Sequence, residues 1–555
     1  MNFASTRVRA LSLFALAALV RLCFWVATPD RGLSNSIAYE GDTPKWLSFL
    51  SEPETNIQLA LPMHPPGMIW LTPWLTDGES FVLVRIVMLL LGATLAPLLY
   101  LLLRRGFSER IALVAGFVCA VSSSLVVIGS GVHSGVPYLV LFLLGLFPFE
   151  AMRRGRGYGA AVLFGVLQAL ACFFRIDHLA FVVLALLWLA IRTRPHGWSC
   201  AIASLTTITL AFLPWQDYAN DLVHTANTKG FPERAPESLP LANSLPWDED
   251  ALTAVRNMPA FARTVTFGFV NNTVALRGGK RVVMADLGIL DDAYAYRPES
   301  FSSSLLSMYG PLNFALANYP GHDGGFSRKA LDHRPPLKGG VEVYSPMIRV
   351  CLEPNGPMRF DYPPHLELVN HGYRIGFDRW LADPGWALGL MVNKVVFAWR
   401  GIANGLGSYN MPLGMSGVRQ AVDITTAYGW WATTWRVLLL VLAGVGIWVL
   451  RSSCGLVPFA LFVVAKLIAV VLFFGYARMG ALCVPSFALL WAAAIDRLLL
   501  ARLSEDACKR LVKAAVVTVL LLEVVRCFAG ESPKMTPLGE SFGTIGRNQT
   551  VLVSY

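Results

Sequence analysis

Long apolar runs, each closed by a short polar or basic stretch, alternate along the chain. Runs near 10–27, 80–103, 111–130, 134–151, 158–174, 178–192 and 198–214 precede a long polar segment, and runs near 433–450, 455–475, 480–496 and 511–528 follow it. Their length is about that of a helix crossing a bilayer core, so the pattern predicts an all-α polytopic membrane protein of about 11 transmembrane helices. It divides the chain into an N-terminal transmembrane module (1–214, with a first outer loop at 29–79), a segment at 215–432, C-terminal helices at 433–528 and a polar tail at 529–555. Arg7 and Arg9 precede the first run and no small-residue cleavage site follows it, so the first helix is read as retained.

The 215–432 segment is rich in Gly, Pro and Asn. It reads as a mixed α/β cap packed on the helices rather than folding alone. Within it, Trp386–Ala403 is apolar but contains Lys394 and Arg400. That mixture predicts an interfacial amphipathic helix over 384–403, started by Asp383 as N-cap and Pro384 in the first turn.

Composition supports the membrane reading. Hydrophobic residues make up 55% of the 555 and charged residues 15%, with a mean hydropathy of +0.52; a soluble enzyme or a disordered chain would not look like this. The net charge of +10 does not imply nucleic acid, because the arginines sit in short loops between apolar runs, where they set topology. Arg7/Arg9, Arg104/Arg105/Arg110, Arg153/Arg154/Arg156, Arg192/Arg194, Arg451 and Arg497/Arg502/Lys509/Arg510 fall in alternate loops and define the cytoplasmic side. The first loop, with seven carboxylates against Arg31 and Lys45, then faces outward together with the 215–432 segment. No cysteine spacing reads as a disulfide framework or a zinc site.

Ionisable residues at the ends of apolar runs mark functional sites, although such residues also snorkel to the interface. Arg85, His133, Arg175, Asp177, His178 and Arg478 all fall on the outer side, facing the acidic first loop with its Glu40 and Asp42. Arginine suits a phosphate because its planar fork donates bidentately and stays charged. A carboxylate just outside the bilayer can accept a proton from an incoming hydroxyl. By spacing alone, however, Asp42 reads as the cap of a helix starting at Pro44, the commoner use of Asp before proline.

These segments resemble the GT-C superfamily of lipid-linked-sugar glycosyltransferases, in its protein O-mannosyltransferase and aminoarabinose-transferase-like branch. Asp42-Thr43-Pro44-Lys45-Trp46 resembles the family's Asp-Glu-x-x-Tyr element, with threonine for the acid and tryptophan for the tyrosine. His64-Pro65-Pro66-Gly67, Val84-Arg85-Ile86, Phe174-Arg175-Ile176-Asp177 and Leu213-Pro214-Trp215 look like further family segments, the last closing the helix before the large loop. So do Leu312-Asn313-Phe314 through Asn318-Tyr319-Pro320 and Gly324-Gly325, Asp383-Pro384-Gly385-Trp386 with Lys394 and Trp399, and Tyr476-Ala477-Arg478 with Pro485. The resemblance runs over residues 10–500. The loop Ser130–Gly135 has no acid where many members carry a second one, and His133 stands there instead.

The resemblance implies a GT-C fold and transfer of a sugar from a polyprenyl-phosphate donor to an extracytoplasmic hydroxyl, with inversion. Asp42 would be the general base. Arg478 and Arg175 would stabilise the leaving phosphate, with Arg85, His64, Lys394, His133, Asp177 and Glu40 lining the pocket. It requires no cofactor, and the missing second acid gives a divalent metal no obvious ligand pair. Membrane lipid surrounds the chain, nucleic acid is no partner, and the acceptor is a glycan, lipid or protein. A lipid-linked-sugar flippase and an O-antigen ligase or polymerase are the rival readings. The absence of a retention signal at Ser554-Tyr555 favours a bacterial inner membrane, with the catalytic side facing the periplasm.

Overall fold

The computed structural model describes residues 3–27, 43, 46, 65–76, 80–155, 157–193, 196–229, 245–258, 266–267, 270–271, 274–275, 277–288, 309–325, 363–403, 429–475 and 477–528. Glu40, Asp42 and His64 lie outside these residues. The described chain is helical. The N-terminal half holds α1 (Phe3–Ala27), α2 (Gly67–Leu71), α3 (Val82–Leu103), α4 (Glu109–Val121), α5 (Ser123–Gly129), α6 (Gly135–Arg153), α7 (Tyr158–Phe174), α8 (Leu179–Arg192) and α9 (His196–Lys229). The middle segment holds α10 (Glu249–Arg256), α11 (Tyr309–Ala317), α12 (Pro363–Ala382) and α13 (Pro384–Ala403). The C-terminal part holds α14 (Gly429–Leu450), α15 (Val457–Leu472), α16 (Ala477–Ala481), α17 (Val484–Leu498) and α18 (Glu505–Phe528).

A helix stands at each of the eleven expected positions. By length and apolarity, seven of the described helices can cross a membrane, or eight when the bent pair α4–α5 counts as one. The difference has physical reasons. α7 and α8 have 17 and 14 residues, about 26 and 21 Å at the helical rise, which is short of a bilayer core. α18 carries Glu505, Asp506, Lys509, Arg510 and Lys513 in its first turns. Even so, α8 exposes Val183, Leu187 and Ile191 in one row, four residues apart as a lipid-facing stripe requires. The chain is a multi-pass integral membrane protein.

The span expected at 111–130 is broken, bending by 56° between α4 and α5. Ser122 leaves the helical region there. Arg21, fully buried in α1, donates to the carbonyls of Ala120 (3.1 Å), Leu125 (3.2 Å) and Ala17 (3.0 Å). Its guanidinium fits only because Gly92 and Gly129 face it; a Cβ on Gly129 would lie 2.6 Å from Nε. Arg21→Met is expected to strand polar backbone groups inside the bundle, at about 1–3 kcal/mol for each buried acceptor left unsatisfied. Thermal unfolding of the purified protein in detergent measures that loss.

Two further expectations change. Pro214-Trp215 does not close its helix, because α9 continues to Lys229. Trp215, Ala219 and Val223 are buried at four-residue spacing, so the packed face runs on past the proline and across the boundary drawn at 214. Among the described residues the middle segment is helical rather than mixed α/β, with a single parallel bridge between Trp247 and Val282.

The 384–403 helix forms as expected. The Trp386 amide donates to the Asp383 carboxylate at 2.9 Å. Asp383→Ala is expected to cost about 1 kcal/mol and to speed amide exchange in the first turn of α13. Leu388, Val392 and Val396 form its exposed apolar row, and Ala387, Leu390, Lys394, Ala398 and Gly401 its buried one. The buried row meets α16 and Gly475 just before it. There Gly401 lies against the Ala477 backbone and Gly480 against that of Ala398, with no room for a Cβ on either glycine. Small residues at such a crossing let two membrane helices touch backbone to backbone.

Candidate functional site

Glu40, Asp42 and His64 lie outside the described residues; the other expected site residues fall in two clusters, described in turn. The first is built on the turn between α7 and α8. Arg175 leaves the helix with extended backbone, and Ile176–His178 form a 3-10 turn. Within that turn Arg175 Nε donates to Asp177 Oδ1 at 3.2 Å, and Nη2 reaches Met479 Sδ at 2.7 Å. Met479 follows Arg478 in α16. The structure therefore brings Arg175 to the segment that carries Arg478, although the two lie in different halves of the chain.

Asp177 has a second cation. Lys466, in the middle of α15, donates to Asp177 Oδ2 at 2.5 Å. Its side chain is 3% exposed, and its amine sits 4.4 Å from the centre of the Tyr138 ring. The site is thus an Arg175–Asp177–Lys466 triad with one net positive charge. His178 turns the other way, with Nδ1 2.9 Å from the Tyr138 hydroxyl and Nε2 2.5 Å from Gln168 Oε1. Phe142 and Phe181 surround it, which makes it a core histidine.

The α5–α6 turn lies at the same end. Arg85, at the head of α3, stacks on the Trp25 ring at 4.3 Å and points a guanidinium nitrogen at the Ser130 carbonyl at 3.5 Å. His133 is buried three residues further on. The Thr43 hydroxyl donates to the carbonyl of Val132, beside His133, at 3.4 Å, and Thr43 and Trp46 are both buried. Gly67, which ends the His-Pro-Pro-Gly stretch, packs directly on the end of α7, where a Cβ would meet the Phe173 carbonyl at 2.8 Å. Trp70 locks that packing edge-on against Phe173 and Trp215.

Lys394 belongs to the second cluster, on the other side of the α15–α16 break. Its amine donates to Asn318 Oδ1 at 2.7 Å and to the Val471 carbonyl at 3.1 Å. Trp380 also donates to Asn318, and Arg379 holds the carbonyls of Ala315 and Asn318. Gly475 donates to Gly324. Residues 471–479 therefore carry Lys394 on one flank and Arg175 on the other. Among the described residues no three His, Cys, Asp or Glu side chains group as a metal ion would need.

Residues 63–216 match the profile of the dolichyl-phosphate-mannose-protein mannosyltransferase family. That stretch is similar to a mannosyltransferase-family domain. Arg85, His133, Arg175 and Asp177 lie inside the matched stretch of that domain; Glu40, Asp42, Lys394 and Arg478 lie outside it. No curated protein matches the sequence. Among solved structures, an oligosaccharyltransferase of Archaeoglobus fulgidus, crystallised with a tethered acceptor peptide containing the NVT sequon, is similar over 98% of this chain. The identity is 13% and the TM-score 0.39. The chain spans 59% of that protein's length, and the two backbones do not superpose closely enough to match residues.

Sequence reasoning missed Lys466 and Arg21. Both carried a signal: each is a charge inside an apolar run, not at its edge, and such a charge is costly unless the fold supplies partners.

Proposed function

We propose that this protein transfers a sugar from a polyprenyl-phosphate donor to an acceptor hydroxyl on the outer side of a bacterial inner membrane. One observation carries the reading: Arg175, within the mannosyltransferase-family stretch, meets the Arg478 segment at the end of the bundle where Thr43 is buried. That contact supports a site in which cations from both halves of the chain act together next to the first outer loop.

On this reading the acceptor oxygen attacks the anomeric carbon, and the bond from that carbon to the phosphate oxygen breaks. The acceptor proton passes to the Asp42 carboxylate. Attack opposite the leaving group inverts the anomeric centre, by analogy with inverting glycosidases. Polyprenyl phosphate leaves already ionised, so no general acid is needed. Arg175 and Arg478 meet the charge growing on that phosphate. Arg85, His64, His133, Asp177, Glu40 and Lys394 line the pocket. Asp177 has a definite task there, because its carboxylate fixes the direction of the Arg175 fork.

The test is transfer of a radiolabelled sugar from polyprenyl phosphate in membranes containing the protein. Label appearing on an extracytoplasmic acceptor, with release of polyprenyl phosphate, supports the reading. Donor that crosses the bilayer without losing its sugar would overturn it in favour of a flippase. Given transfer by the wild type, Arg175→Ala and Arg478→Ala are each expected to lower it by about 10²–10³, as when a donor to a developing anion is removed.

A further inference from the structure

The opposite end of the bundle holds a cavity that the proposed transfer does not use. α3 runs from Arg85 at the site end to Leu103, α6 from the turn after His133 to Arg153, and α15 back from Val457 to Leu472 beside Lys394. Their far ends, with the connections at 102–107 and 453–459, enclose about 200 Å³. The 19 residues of α6 place this cavity about 28 Å from the site end, close to the thickness of a bilayer core. It therefore lies at the other membrane surface.

The lining has two characters. Leu146, Phe149 and Phe459 form an apolar wall, while Arg105, Arg153 and Glu150 supply the polar part. Glu150 is held by Arg153 through both oxygens, at 2.6 and 2.7 Å, and by Arg154 at 2.7 Å. Glu109, nearby, is shared between Arg9 at 2.6 Å and Arg104 at 3.8 Å. The three converging stretches, 102–110, 146–154 and 451–459, contain six arginines (104, 105, 110, 153, 154 and 451) and two glutamates (109 and 150). Glu109 and Glu150 each serve two arginines, one of them Arg9, and Arg110 pairs with Asp496 at 2.9 Å; seven arginines against three carboxylates leave a positive field over a cavity with one greasy wall.

That combination selects its ligand. A soluble anion gains nothing from Leu146, Phe149 and Phe459. A zwitterionic lipid gains little from the arginines. An anionic amphiphile uses both, and basic pockets between helix ends at the cytoplasmic surface bind such head groups. We propose that the cavity binds an anionic phospholipid, with its phosphodiester at Arg105 and Arg153 and the start of an acyl chain along Phe149 and Phe459. The arginines act here as charge-assisted donors. The proposal does not depend on the reaction at the other end.

The test places the purified full-length protein in phosphatidylcholine nanodiscs with and without phosphatidylglycerol, and reads retained lipid by native mass spectrometry and stability by thermal unfolding. One phosphatidylglycerol per chain should be retained over phosphatidylcholine by about tenfold, a difference of about 1.4 kcal/mol. Arg105→Gln with Arg153→Gln should abolish the preference. Arg105→Gln alone, at an exposed position, should weaken it in a chain that keeps its fold. Arg110→Gln, off the cavity, should leave it intact. Equal retention of the two lipids would overturn the proposal. So would an equal loss in Arg110→Gln, which would mean diffuse surface charge, or equal stabilisation by glycerol phosphate in phosphatidylcholine discs, which would mean a soluble anion.

Discussion

Asp42→Asn is expected to lower sugar transfer by about 10²–10⁴-fold, the contribution of a positioned general base, at unchanged protein level and thermal stability. The substitution is chosen because it separates the two uses of this position. Asparagine caps a helix about as well as aspartate does, so a residue that only starts a helix at Pro44 loses nothing. A base loses its proton acceptor. Asp42→Ala adds the complementary arm: a cap costs about 1 kcal/mol on removal, which thermal unfolding reads, whereas a pure base costs activity alone. What favours the base is the placement of the next residue. Thr43 is buried with its hydroxyl on Val132, next to His133, in the loop where the family often carries a second acid. Full transfer by Asp42→Asn would refute the assignment and move the search to Glu40 and His133.

The sequence showed the fold class because apolar runs of bilayer length are unambiguous, and a helix forms at each of the eleven positions. It led to the expectation that Arg85, His133, Arg175 and Arg478 share one membrane side, because run ends alternate between two surfaces. It could not show the α4–α5 break. That break depends on Arg21 in another helix and on the space left by Gly92 and Gly129, so nothing local to 111–130 announces it. Pro214 misled for a similar reason: a proline ends a helix only where packing does not carry it on, and Trp215, Ala219 and Val223 do carry it on. The partners were the least legible part. Arg175 and Asp177 are two positions apart, but Met479 and Lys466 are about three hundred positions away, and only the fold pairs them. Asp42 itself was legible through resemblance alone, and it lies beyond both the described residues and the matched family stretch.

The buried triad yields the second large effect. Lys466→Met should be among the most destabilising single changes in the protein. It leaves the Asp177 carboxylate, 16% exposed, with Arg175 as its remaining cation, and removing one partner of a buried ion pair costs about 3–5 kcal/mol. The double variant Lys466→Met/Asp177→Asn should recover part of that stability, because the asparagine buries no charge where Lys466 was, although Arg175 is left without its carboxylate, and the two effects are coupled through one contact. Sugar transfer should not recover with it. In the double variant Arg175 has lost the carboxylate that holds its Nε at 3.2 Å, so its fork no longer faces the donor phosphate in one orientation, and the loss should appear in the KM for the lipid-linked donor more than in that for the acceptor. Thermal unfolding and transfer kinetics on the same preparations separate the two roles. A double variant no more stable than Lys466→Met would mean that Asp177 is not what Lys466 stabilises. Full activity in a refolded double variant would mean that the orientation of Arg175 is immaterial. The expected split, with stability partly restored and donor binding still weak, identifies Lys466 as the residue through which the C-terminal helices set the Arg175 guanidinium of the N-terminal module.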